Sequence, residues 1–182
     1  LDALKIWDGS ESPIVGRKLG SELRIGPGRV ISVDNEVQLA REAELFINGS
    51  ELTFDHLRAD SSSVLAIQQG ARLVGSELLL MNSAVLRGDG VIKTEFSGWA
   101  GSEITATGDL SIGDISVVNG FMTEGEIKVT SGTTLELNSQ TYAALGSKTI
   151  VNDATLRASN GIILGDGNII QVEGQVDARF SA

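Results

Sequence analysis

A short motif, leucine–any–aliphatic, recurs along nearly the whole chain and constrains the fold more than any other feature. It reads Leu23-Arg24-Ile25, Leu45-Phe46-Ile47, Leu65-Ala66-Ile67, Leu110-Ser111-Ile112 and Leu135-Glu136-Leu137. Weaker copies stand at Leu86-Arg87-Gly88 and Leu156-Arg157-Ala158. The leading leucines are 22, 20, 21, 24, 25 and 21 residues apart, a mean of about 22. A period of this length marks a repeat architecture, in which each unit buries its apolar side against its neighbours.

Other segments keep step with the motif. A second β-like stretch follows each leading leucine, as at Val30–Val33, Leu52–Phe54, Ile92–Thr94, Ile115–Val118 and Ile162–Leu164. A third follows later, as at Val37–Leu39, Leu78–Leu80, Ile104–Ala106, Ile127–Val129, Thr149–Val151 and Ile169–Val172. Asn-Gly and Asp-Gly pairs separate many of them, and these residues turn a chain at low cost. Apolar and polar residues alternate within each stretch, the period of a half-buried strand. Helical periodicity is nearly absent; Glu36–Ala43 comes closest and is short.

Three short strands per repeat predict an all-β chain, a right-handed parallel β-helix of about seven coils. The alternative is an antiparallel sandwich or jelly roll, whose strands also recur every 8–12 residues. A sandwich does not need the same motif at the same phase in every repeat. A solenoid does, because equivalent positions stack into ladders. Residues 1–20 lie outside the repeat and read as an N-terminal cap or a strand-exchange segment, with 21–182 as the solenoid. Within that segment Leu4, Ile6 and Trp7 alternate as a strand would and are the assembly candidates. A solenoid end is a raw strand edge, so another copy of the chain is the first partner to expect.

Composition excludes several functions. There are 14 Lys and Arg against 24 Asp and Glu, a net charge of −10, and no basic cluster to meet a phosphate backbone. Nucleic acid is therefore not an expected partner. No apolar run is long enough to span a membrane. Cysteine is absent and His56 is the single histidine, which removes thiolate chemistry and leaves no histidine pair for zinc. The chain opens at Leu1, which reads as a processed product or a piece of a longer chain.

Candidate sites follow from the register. Trp99, Glu103, Asp114 and Glu126 fall in neighbouring coils, with Trp99 in what reads as the longest insertion between strands. Acids and an aromatic on one face could hold a sugar, so these four are the ligand-binding candidates. Asp89, Asp166 and Asn168 sit in Asp-Gly turns that share fragments with calcium loops, although no complete calcium motif is present. Calcium is accordingly the one ion considered, and no other cofactor is expected. Arg87-Gly88-Asp89 and His56 read as turn and corner residues. No catalytic residue stands out.

Three stretches resemble a known family. Leu86-Arg87-Gly88-Asp89-Gly90-Val91-Ile92, Leu164-Gly165-Asp166-Gly167-Asn168-Ile169-Ile170 and Gly132-Thr133-Thr134-Leu135-Glu136-Leu137 resemble repeats of bacterial secreted passenger-type β-helices. These are the autotransporter and filamentous-haemagglutinin-like surface proteins, and Trp7-Asp8-Gly9 is similar to the start of many such regions. The resemblance spans about residues 21–176. It implies an extracellular or cell-surface protein with an adhesive, fibre or matrix role and no catalysis. Its partners would be other copies of itself or a cell-surface glycan. The rival reading is a carbohydrate-active module, binding or lyase-like.

Overall fold

The computed structural model describes residues 3–6, 22–114, 120–144 and 146–181; Trp7 and most of the predicted cap fall outside them. Sixteen β-strands and no helix make up the described residues. After β1 (Ala3–Ile6), the chain winds through eight stacked layers. Layer 1 holds β2 (Glu22–Ile25), β3 (Val30–Ser32) and β4 (Glu36–Leu39). Layer 2 holds β5 (Glu44–Asn48), β6 (Glu51–Thr53) and β7 (His56–Ala59). Layers 3 and 4 are single strands that run round the corners, β8 (Val64–Leu80) and β9 (Val85–Gly98). Layer 5 is β10 (Glu103–Ile112) and β11 (Phe121–Thr123). Layer 6 is β12 (Glu126–Val129), β13 (Thr134–Leu137) and β14 (Thr141–Ala143). Layers 7 and 8 are β15 (Lys148–Leu164) and β16 (Ile169–Ser181).

Every pairing between layers is parallel. The molecule is therefore a β-solenoid, and the sandwich alternative, which needs antiparallel strands, is set aside. The first strand of a layer starts at Glu22 and its eighth equivalent at Ile169, seven turns later. Three faces result. Face A carries the first strand of each layer, face B the second and face C the third. At about 4.8 Å per layer the rod is roughly 34 Å long.

The residues form these strands because alternate positions point into the rod. The pattern in β5 is half-buried, buried, half-buried, buried, half-buried, with Leu45 and Ile47 fully enclosed. Like residues stack on like: Leu45 pairs with Leu65, Leu52 with Leu73, and Leu57 with Leu78. Phe96 and Phe121 continue the face C ladder with rings stacked 4.8 Å apart. Burying each such side chain contributes about 1.5–3 kcal/mol before chain entropy is charged against it.

The corner from face C to face A is built the same way in most layers. It is a four-residue turn, as in Ala40–Ala43, Asp60–Ser63, Met81–Ala84 and Trp99–Ser102, and again at 144–147. In each, the fourth N–H donates to the first carbonyl at 2.9–3.1 Å. The third residue is left-handed: Glu42, Ser62 and Ser83 have φ of 62–63°, while Gly101 and Gly146 take the same place at 81° and 77°. The fourth is small and buried: Ala43, Ser63, Ala84, Ser102, Ser147.

The strand read at Val37–Leu39 is present as β4, in the stretch that comes closest to helical periodicity. Two expectations need correction. Trp99 does not sit in the longest insertion but opens one of the regular four-residue turns. The strand expected at Ile115–Val118 lies outside the described residues. The leucine motif also changes face. Leu23, Leu45, Leu65 and Leu86 form one ladder on face A, but Leu86 pairs next with Ile104, and Leu110 pairs with Gly90 on face B.

Candidate functional site

Face A of layers 5 to 7 brings two of the four predicted ligand residues together. Glu103 and Glu126 are direct partners in the β10–β12 register, and Lys148 follows Glu126 on β15. All three point outward because their successors, Ile104, Ile127 and Thr149, point in. Lys128, two residues beyond Glu126 on the same outward side, reaches across the layers. Its Nζ lies 2.6 Å from Glu103 and 3.0 Å from Glu126, and Lys148 lies 3.4 Å from Glu126. Thr105 Oγ1 donates to the other Glu103 oxygen at 2.6 Å.

This ladder sets the charge states. Burial pushes the Glu103 carboxyl up, but the hydrogen bonds from Lys128 and Thr105 and the Lys128 charge outweigh it. The net result lies below the ordinary glutamate value. For Glu126 the hydrogen bond from Lys128 is the largest influence, opposed by burial and assisted by Lys148, and the carboxyl again lies low. Hydrogen bonds to Glu103 and then Glu126 hold the Lys128 ammonium above its ordinary value. Both carboxylates are thus kept ionised at neutral pH, as fixed acceptors.

Beside them the solenoid has a notch. The C-to-A turn that enters layer 6 has only two residues, Glu124 and Gly125, where its neighbours have four. The chain is drawn in at that corner, where Gly125 lies close against the Ser102 carbonyl. A hollow of about 420 Å³ results, lined by Gly101, Ser102, Glu103, Glu124, Gly125, Glu126, Gly146 and Lys148. Its floor keeps its backbone bonds: Glu126 N–H donates to Ser102 O at 2.9 Å, and Lys148 N–H to Gly125 O at 3.1 Å. Trp99 is 48% exposed and opens the turn whose Gly101 and Ser102 form one wall.

Asp114 does not join this group. It follows β10 at the B-to-C corner and shares a separate hollow with His56, Glu77, Lys93 and Glu95. Its backbone N–H and carbonyl are both bonded to Ser139 Oγ. His56 itself sits 3.1 Å from the Asp55 carboxylate. Asp89, Asp166 and Asn168 are dispersed as well. Asp89 occupies the A-to-B corner of layer 4, where it accepts the Gly70 N–H at 3.0 Å. Asp166 and Asn168 lie in the turn entering layer 8, where the Asn168 amide accepts from Ser147 N–H and donates to Ala143 O. Among the described residues no three His, Asp or Glu side chains gather as a metal would require. Leu4 and Ile6 lie in β1, which pairs with Val37 and Leu39 of its own chain.

Sequence reading missed two exposed apolar residues, Met122 and Tyr142, which are register partners on the outside of face C. Alternation was the signal: each stands between two inward residues. The notch had no signal until the faces were assigned, because only then does a two-residue turn look short. Compared with known proteins, the chain matches no family model, no curated sequence and no solved structure. No helix among the described residues is long and apolar enough to cross a membrane.

Proposed function

We propose that the chain is a non-catalytic, surface-exposed rod whose role is structural or adhesive, presenting its flanks to other copies or to a glycan outside the cell. One observation carries this reading. Glu103 and Glu126, the register-paired carboxyls beside the notch, are both locked into lysine pairs. Cleavage of a glycosidic bond by paired carboxyls needs one of them protonated at neutral pH, with a raised pKa. Here both are pulled the other way. The extracellular placement rests on the likeness of the repeats to passenger-type β-helices.

The test is incubation of the purified chain with a panel of plant, bacterial and animal polysaccharides, with and without calcium, following chain length by size-exclusion chromatography. Chain lengths should stay unchanged. Depolymerisation that disappears in Glu103→Gln or Glu126→Gln would establish the carbohydrate-cleaving alternative instead.

A further inference from the structure

The notch at the corner of layers 5 to 7 is built on a two-residue turn, and the backbone is fitted closely to it. A Cβ on Gly125 would run into the Ser102 carbonyl oxygen, so that corner closes only with glycine. The hollow it opens is small, at the lower end of the roughly 300–1,000 Å³ usual for ligand sites. Its chemistry is mixed. Glu103 and Glu126 are oriented acceptors held by Lys128 and Lys148, and Lys148 also offers donors at the wall. Glu124 is exposed and makes no ion pair among the described residues. Trp99 stands half-exposed on the adjoining turn, although most large apolar residues of the mid-rod are enclosed.

We infer that this notch is a saccharide subsite, taking one end or one unit of an uncharged glycan. Sugar hydroxyls donate and accept at once, which suits alternating carboxylates and an ammonium. Trp99 lies outside the lining, two residues before Gly101, and a glycan extending past that wall meets an exposed indole on which the C–H face of a pyranose stacks. Three carboxylates in the lining, on a chain of net charge −10, disfavour a uronate or sialylated glycan. A divalent cation is disfavoured because the carboxylates do not gather into a metal-holding group. A protein partner would need an interface well beyond the hollow. The inference deepens the adhesive reading and rests on it only for the source of the glycan.

The experiment is ¹H–¹⁵N NMR of the chain titrated with uncharged tetrasaccharides of glucose, xylose, mannose or N-acetylglucosamine, and with tetragalacturonate. At least one uncharged member should saturably shift the Trp99 indole N–H and the Gly125 and Gly146 amides. Trp99→Ala should weaken that binding at least tenfold. Gly146→Asn is the second variant: the position is left-handed with open space around it, which asparagine tolerates, and the added bulk should also block binding. No shift at these resonances up to 10 mM of every sugar overturns the inference. So does binding that both variants leave intact, or binding of the uronate alone. A negative result here leaves the non-catalytic rod standing, since that reading is tested by cleavage.

Discussion

At Gly125 the backbone leaves room for a hydrogen atom and nothing larger, because the two-residue turn brings it against the Ser102 carbonyl. Gly125→Ala must therefore push two layers apart or strain the turn. It should cost about 1–3 kcal/mol, the range for forcing extra atoms into a packed site. Ser62→Gly is the matched control. Ser62 holds a left-handed φ of 62° in a regular turn, so glycine removes strain there while adding unfolded-state freedom. Its stability should move by less than about 1 kcal/mol. Urea melts of the two variants check both numbers, and equal midpoints would show that the short turn is not held tightly. Single residues were the most legible level in sequence. Leu45, Leu65 and Ile67 announced their burial by alternation alone. Gly125 did not, because its neighbour Ser102 is 23 positions away and is brought near only by the coil.

The strands of face A show where sequence reading stopped. Glu103 and Glu126 could be placed in adjacent layers from their spacing, but Lys128 between them was invisible until the outward side was known. The same ambiguity moved the leucine ladder to another face at Leu110, since apolar–any–apolar serves faces A, B and C equally well. The ladder has a pH signature. The two carboxyls titrate below the ordinary value of 4.5, so their contribution is in place above that value and lost as pH falls through the folded one. The Lys128 ammonium titrates above 10.5, so its contribution holds below that and is lost as pH rises through the folded value. The network is thus complete from about pH 5 to pH 10. In Lys128→Met the stability gap to wild type should be largest near pH 7 and should close toward pH 3. These side chains are roughly a third exposed, so each pair should be worth only a few tenths of a kcal/mol to about 1 kcal/mol, and less in high salt. Thermal melts across pH, at low and at 1 M salt, decide this; a gap independent of pH would show that Lys128 acts through its methylenes.

Across the whole molecule, stability should be a sum over neighbouring layers. The layers are not equal. Layers 2 to 4 are lined by Leu45, Leu52 and Leu57, then Leu65, Leu73 and Leu78, then Leu86, Ile92 and Phe96, all at most 1% exposed. Buried polar side chains are fewer there, Ser50, Ser63 and Thr94, than from layer 5 onward, where Thr123, Thr133, Ser139, Thr141, Ser147 and Thr149 are all buried. In layer 8 the inward positions are open, with Val172 at 43% and Phe180 at 47%, and among the described residues β16 pairs with β15 alone. A rod held together only by nearest neighbours must then loosen in that order. Hydrogen exchange should be slowest for amides in β8 and β9, intermediate in β12 to β15 and fastest in β16. Leu73→Ala, which opens a cavity worth about 2–5 kcal/mol, sharpens the case. It should speed exchange in layers 2 to 4 far more than in layer 7. If every amide from layer 2 to layer 8 instead exchanges with one common free energy, and Leu73→Ala lowers all of them alike, the layers unfold as one cooperative body. The polar interior of the later layers would then be supported by the aliphatic interior of the earlier ones.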